Sequence, residues 1–159
     1  MNNNISLKIC VLDDDQVYRK MLVCYIESLG HHATGFQTAD ECLESLSENP
    51  DLVLLDHNLE GEQNGVDILR FIKHERPDIA VIYITGEENA ALVSDVFRSG
   101  SEDFIGKDSA SLLRLKLKLE ELVARKIEKS NRARRNKRLV IAGSMLLTAY
   151  AIVQYLLMS

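Results

Sequence analysis

The chain predicts a doubly wound α/β fold, with a five-stranded parallel sheet and helices on both faces. Two observations carry this. Short apolar runs alternate with amphipathic stretches along the first 130 residues, and the runs are separated by lengths that suit crossover helices. The composition agrees: 159 residues with 46% hydrophobic content allow one packed domain with sequence to spare.

The first strand is Leu7–Leu12, an unbroken apolar run apart from Lys8. Residues 15–29 follow as a helix, with Val17, Met21, Leu22, Ile26 and Leu29 at helical spacing and Gly30 as its stop. Ala33–Phe36 forms a weak second strand. Thr38-Ala39-Asp40-Glu41 reads as a capping box for the second helix, whose Leu43 and Leu46 face inward. Asn49-Pro50-Asp51 is a turn before the third strand, Leu52–Leu55. Val66, Ile68, Leu69 and Ile72 mark a third helix, ended by Pro77, and Ile79–Ile84 is the fourth strand. Ala91, Leu92, Val96 and Phe97 mark a fourth helix that stops at Gly100. Phe104-Ile105 is the fifth strand. The last helix begins near Ser109 and carries Leu112, Leu115, Leu119, Leu122 and Ile127. Leu113 and Leu117 exceed what one core face needs, which leaves a homodimer seam open.

Charge divides the chain into three parts. Residues 1–108 hold 21 acids and 8 bases, residues 109–138 hold 3 acids and 11 bases, and residues 139–159 hold none. Cys10, Cys24 and Cys42 match no zinc or redox spacing, and Cys10 and Cys24 are expected as buried thiols. Met1–Asn4 lacks the basic-then-apolar pattern of a signal peptide. His31-His32 reads as a turn, with no further ligands nearby.

Five polar residues sit where apolar runs end: Asp13 and Asp14, Asp56, Thr85 and Lys107. In a parallel doubly wound sheet these ends share one edge, where ligands bind. Three carboxylates there repel one another unless a cation neutralises them, and a hard divalent ion such as Mg²⁺ suits oxygen ligands. Aspartate can then attack phosphorus, with Lys107 and the Thr85 hydroxyl on the phosphoryl oxygens. His57, beside Asp56, is expected to face solvent or the adjacent helix.

Leu12-Asp13-Asp14-Asp15, Leu54-Leu55-Asp56, Ile84-Thr85-Gly86 and Phe104-Ile105-Gly106-Lys107 resemble the receiver domain of two-component response regulators. The resemblance covers residues 5–130 and implies a flavodoxin-like sheet of strand order 2-1-3-4-5. It implies that Asp56 is the phosphoacceptor, charged by a histidine kinase or histidine phosphotransfer protein. It implies Mg²⁺ on Asp13, Asp14, Asp56 and the Asn58 carbonyl, and a switch made of Thr85, Lys107 and Phe104. Asn58 and Glu87 are the positions that tune hydrolysis of the acyl phosphate, with an expected lifetime of minutes or less. No further enzyme activity is implied beyond self-phosphorylation and autodephosphorylation. Asp108 stands where the family usually has proline, so a trans bond and an altered loop are expected. The loop after Asp56 also lacks the common proline, at Glu60.

Leu139–Met158 is an uncharged stretch that, as a helix of 20 residues, spans about 30 Å, the thickness of a bilayer core. Arg132, Arg134, Arg135, Lys137 and Arg138 precede it in a basic segment, residues 131–138, and place that side in the cytoplasm. The sequence reading is thus a stand-alone receiver tail-anchored in the cytoplasmic membrane by one span, switching an unknown downstream partner. The basic run lacks a recognition helix or interleaved aromatics, so nucleic acid is not expected as a partner. A phosphate-independent membrane adaptor and a phosphate sink remain as alternatives.

Overall fold

A computed structural model describes residues 5–59, 64–86 and 89–158, excepting the side chains of 149–151, 155, 156 and 158. The strands are β1 (Lys8–Leu12), β2 (His32–Phe36), β3 (Leu52–Asp56), β4 (Ala80–Thr85) and β5 (Asp103–Gly106). They form one parallel sheet in the order β2-β1-β3-β4-β5, as expected. The helices are α1 (Gln16–Ser28), α2 (Ala39–Ser45), α3 (Gly65–Glu75), α4 (Ala90–Arg98) and α5 (Ser111–Met158), with a short 3₁₀ turn at Leu46–Glu48.

Burial explains the sheet. Every residue of β3 and β4 is buried, as befits central strands covered on both faces. β2 lies at an edge and is mostly exposed, which is why its sequence signal is weak. Polar side chains start the helices. Asp15 accepts from Val17 N and Tyr18 N, Asn64 from Asp67 N, and Asn89 from Leu92 N. Gly30 and Gly100 follow α1 and α4 with φ of 86° and 98°, where a Cβ would be strained.

Several expectations need correction. Val17 is 78% exposed, Phe97 is half exposed, and Cys24 is exposed rather than buried. α1 rests on the sheet through Leu22 and Ile26, a narrower stripe than its apolar residues suggest. Thr38 does accept from Glu41 N, at 3.4 Å.

Residues 1–119 form one compact unit and 120–159 a second. In the first, Leu115 and Leu119 of α5 are buried. In the second, residues 131–148 are exposed throughout, and the ion pairs Arg125–Glu121 and Arg132–Glu128 run along the helix surface at 3.5 Å. The membrane span expected over 139–158 is not borne out by the described residues, since none of their helices is long and apolar enough to cross a membrane. Residues 149–151, 155, 156 and 158 belong to that stretch, and their side chains lie outside those described.

Candidate functional site

The order of the sheet reverses between β1 and β3, and the acidic residues leave the sheet there. Asp13 follows β1 and Asp56 ends β3, and both are almost wholly buried. Asp14 is half-buried beside them, and ligand oxygens of Asp13, Asp14 and Asp56 lie within 4.8 Å of one another. This is a hard-ligand set of the kind Mg²⁺ takes, and receiver domains generally bind Mg²⁺ at such an acidic pocket.

Lys107 reaches into the cluster from the loop after β5. Its ammonium lies 2.9 Å from Asp13 Oδ2 and 3.0 Å from Asp56 Oδ2. The same ammonium sits over the Tyr18 ring, 4.5 Å from its centroid. Lys107 N also donates to Thr85 O at 2.8 Å, which ties the lysine loop to the end of β4. Thr85 itself is fully buried.

One ammonium facing three carboxylates leaves the pocket negative. Burial pushes the carboxyls of Asp13 and Asp56 above their ordinary value, and the bonds from Lys107 offset only part of that push. Burial also works against the Lys107 charge, but its bonds to Asp13 and Asp56 outweigh this and raise its pKa. The arrangement therefore fits a divalent cation, which would relieve the excess negative charge.

The main chain is held as firmly as the side chains. Asp13 Oδ1 accepts from Asp15 N at 2.9 Å, and Asp56 Oδ1 accepts from His57 N at 2.8 Å. Arg19, one turn into α1, donates to the Asp13 carbonyl and, at 3.2 Å, to the Asp14 carbonyl. Asn58, two residues past Asp56, is exposed. Glu87 and the loop residues 60–63 lie outside the described residues. Phe104 is half-buried on β5.

Two features escaped the sequence reading. Arg19 fastens the acid pair, though nothing in its local pattern separates it from a surface arginine. His57 turns inward, and its Nδ1 lies 2.7 Å from the Tyr83 hydroxyl. The signal for that pair was present: a tyrosine within an aliphatic strand needs a buried partner for its hydroxyl. Asp108, in place of the usual proline, follows a trans bond, as expected. Its Oδ1 accepts from Ala110 N at 2.8 Å and its Oδ2 pairs with Arg114 at 2.5 Å, while Arg114 also donates to Gly106 O at 3.3 Å. A carboxylate–guanidinium clip thus shapes this loop.

The profile of the "Response regulator receiver domain" family matches residues 9–119. The chain is 32% identical over 88 residues to the response regulator receiver protein CpdR of Brucella abortus, covering 55% of this chain and 73% of that one. It is 31% identical over 101 residues to the nitrogen assimilation regulatory protein NtrX of Azorhizobium caulinodans, covering 62% of this chain but only 22% of that relative. The crystal structure of the receiver domain of NtrX from Brucella abortus superposes with a TM-score of 0.67 at 30% identity, covering 73% of this chain and 98% of that one.

Proposed function

Because the chain belongs to the response regulator receiver domain family, we propose that it is a phosphoacceptor, charged on Asp56 by a histidine kinase or histidine phosphotransfer protein. One observation carries this reading. The Asp56 carboxylate is buried with one oxygen on a fixed amide and the other on the Lys107 ammonium, beside two further carboxylates.

In the transfer, an Asp56 oxygen attacks the donor's phosphorus. The P–N bond to the donor imidazole breaks, its electron pair stays on that nitrogen, and an acyl phosphate forms on Asp56. Lys107 is already within reach of the phosphoacceptor and holds the transferred oxygens electrostatically. The Thr85 hydroxyl, at the adjoining strand end, donates to the same group, and Phe104 repacks as Thr85 moves. Asp13, Asp14, Asp56 and the Asn58 carbonyl would hold Mg²⁺, which supplies positive charge against the phosphoryl oxygens when bound. Asn58 and Glu87 tune hydrolysis, giving a phosphorylated lifetime of minutes or less. The switched surface, formed by α4, β5 and the first turns of α5, meets a downstream protein partner.

The tail extends the proposal. Residues 139–159 hold no charge, and Leu139, Val140, Met145, Leu146 and Leu147 are 66–73% exposed. Five bases directly precede them, all exposed. This pattern supports a single-pass anchor in the cytoplasmic membrane with the receiver on the cytoplasmic side. The test is fractionation with and without residues 139–159, and the anchor is refuted if both forms stay soluble.

The phosphoacceptor reading is tested by incubating the full chain with acetyl phosphate and Mg²⁺. It expects a mass increase of one phosphoryl group that Asp56→Asn abolishes. No such increase would leave a phosphate-independent adaptor. An increase with no phosphorylation-dependent partner would leave a phosphate sink.

A further inference from the structure

Tyr83 is the one polar-tipped side chain before the final threonine in an otherwise aliphatic β4, and it is fully buried. A phenol hydroxyl in such a place is costly unless it is bonded. Its bond is to His57 Nδ1, at 2.7 Å. His57 follows Asp56 directly, and its N–H holds Asp56 Oδ1 at 2.8 Å. On its other side Tyr83 is the register partner of Phe104 across β4 and β5. The two rings stack with centroids 6.3 Å apart and planes 15° apart. The contact has its own space: a Cβ on Gly65 would come within 2.5 Å of the Tyr83 hydroxyl and within 2.4 Å, without that Cβ having anywhere to go, of the Asp56 carbonyl.

Resting on the phosphoacceptor reading above, we infer that Tyr83 is a positioning residue that couples the state of Asp56 to the ring of Phe104. The physical basis is a change in acceptor strength. Acyl phosphate formation removes the carboxylate charge that Oδ1 shares, whichever oxygen takes the phosphorus. The His57 N–H then faces a neutral acceptor, and charge-assisted bonds are roughly twice as strong as neutral ones. The peptide after Asp56 relaxes, the His57 ring moves with it, and its bond carries the displacement to Tyr83 and on to the stacked Phe104. This route runs through Tyr83 and not through Thr85, which lies two residues further along β4 at the strand's end.

The test uses the full chain in detergent micelles, with fluorophenylalanine placed at position 104 alone by nonsense suppression. Position 104 then gives the single fluorine signal, and each sample is treated with acetyl phosphate and Mg²⁺. Tyr83→Phe keeps the ring and its stacking but removes the hydroxyl. It is expected to gain the same Asp56-dependent mass as the wild type, while the Phe104 shift falls to less than half. His57→Leu, which cuts the bond from the other end, is expected to reduce the shift equally. An undiminished Phe104 shift in Tyr83→Phe overturns the inference, and so does loss of its phosphorylation, since Tyr83 would then serve the acceptor alone. Failure of the wild type to gain mass is a separate outcome: it sinks the phosphoacceptor reading and the coupling with it.

Discussion

Helix α5 carries leucines in two settings. Leu115 and Leu119 are 1% exposed, packed within the first unit, whereas Leu139, Leu146, Leu147 and Leu157 in the second unit are 66–76% exposed. The residue type is the same and the surroundings are opposite. In the first unit an apolar side chain is covered by the chain itself and helps fix a polar site. In the second it lacks such cover, so whatever shields it must come from outside. Pocket chemistry and the role of the tail should therefore separate cleanly under mutation.

The largest expected effect is at the pocket. Asp56→Asn should abolish phosphorylation, while removal of residues 139–159 should leave its rate within about twofold. A strong loss on truncation would break the separation. Lys107→Ala keeps the acceptor but removes the ammonium 3.0 Å from it, and phosphorylation by acetyl phosphate should fall by roughly a hundredfold.

Next come the leucines. Leu115→Ala should destabilise the first unit by about 2–5 kcal/mol in urea unfolding. Leu147→Ala should change the same transition by less than about 0.5 kcal/mol. Equal effects would mean that the exposed row is covered by the chain after all.

A smaller effect follows from the acids. Burial raises the pKa of Asp13 and Asp56, so the folded state holds these protons more tightly than the unfolded chain. The stability this contributes is full below the ordinary aspartate value, about 3.9, and is lost as pH rises through the raised folded values. Without divalent cations, melting temperature should therefore decline above about pH 4 from this contribution. Added Mg²⁺ at pH 7 should recover a few degrees, and Asp13→Asn should blunt that recovery. The smallest change should come from Arg132→Ala, whose exposed pair with Glu128 should be worth less than about 0.5 kcal/mol.

The first unit was highly legible in the sequence. β3 and β4 announced themselves as unbroken apolar runs because both of their faces are covered. The pocket was legible because strand ends in a parallel sheet converge, so Asp13, Asp56, Thr85 and Lys107 could be grouped from their offsets alone. Helix faces were less legible. Val17 has the right spacing for the α1 stripe, yet it is mostly solvated, because spacing marks a face without saying how wide its cover is. His57 was misplaced because strand alternation was extended past the strand's end, where the backbone no longer alternates. Arg19 could not be found at all, since a guanidinium bonding backbone carbonyls leaves no pattern in side-chain types.

The bare position at Gly65 has a consequence for inheritance. Tyr83 occupies the space in which a methyl at residue 65 would stand, so the two positions are linked in any lineage that keeps the phenol. Glycine at 65 can drift toward alanine more easily after 83 has lost its hydroxyl than before. The Asp56 carbonyl still restricts that drift, because backbone cannot be traded away. In related chains the order of substitution should run from 83 to 65, and a reversed order would carry a period of weakened folding between the two steps.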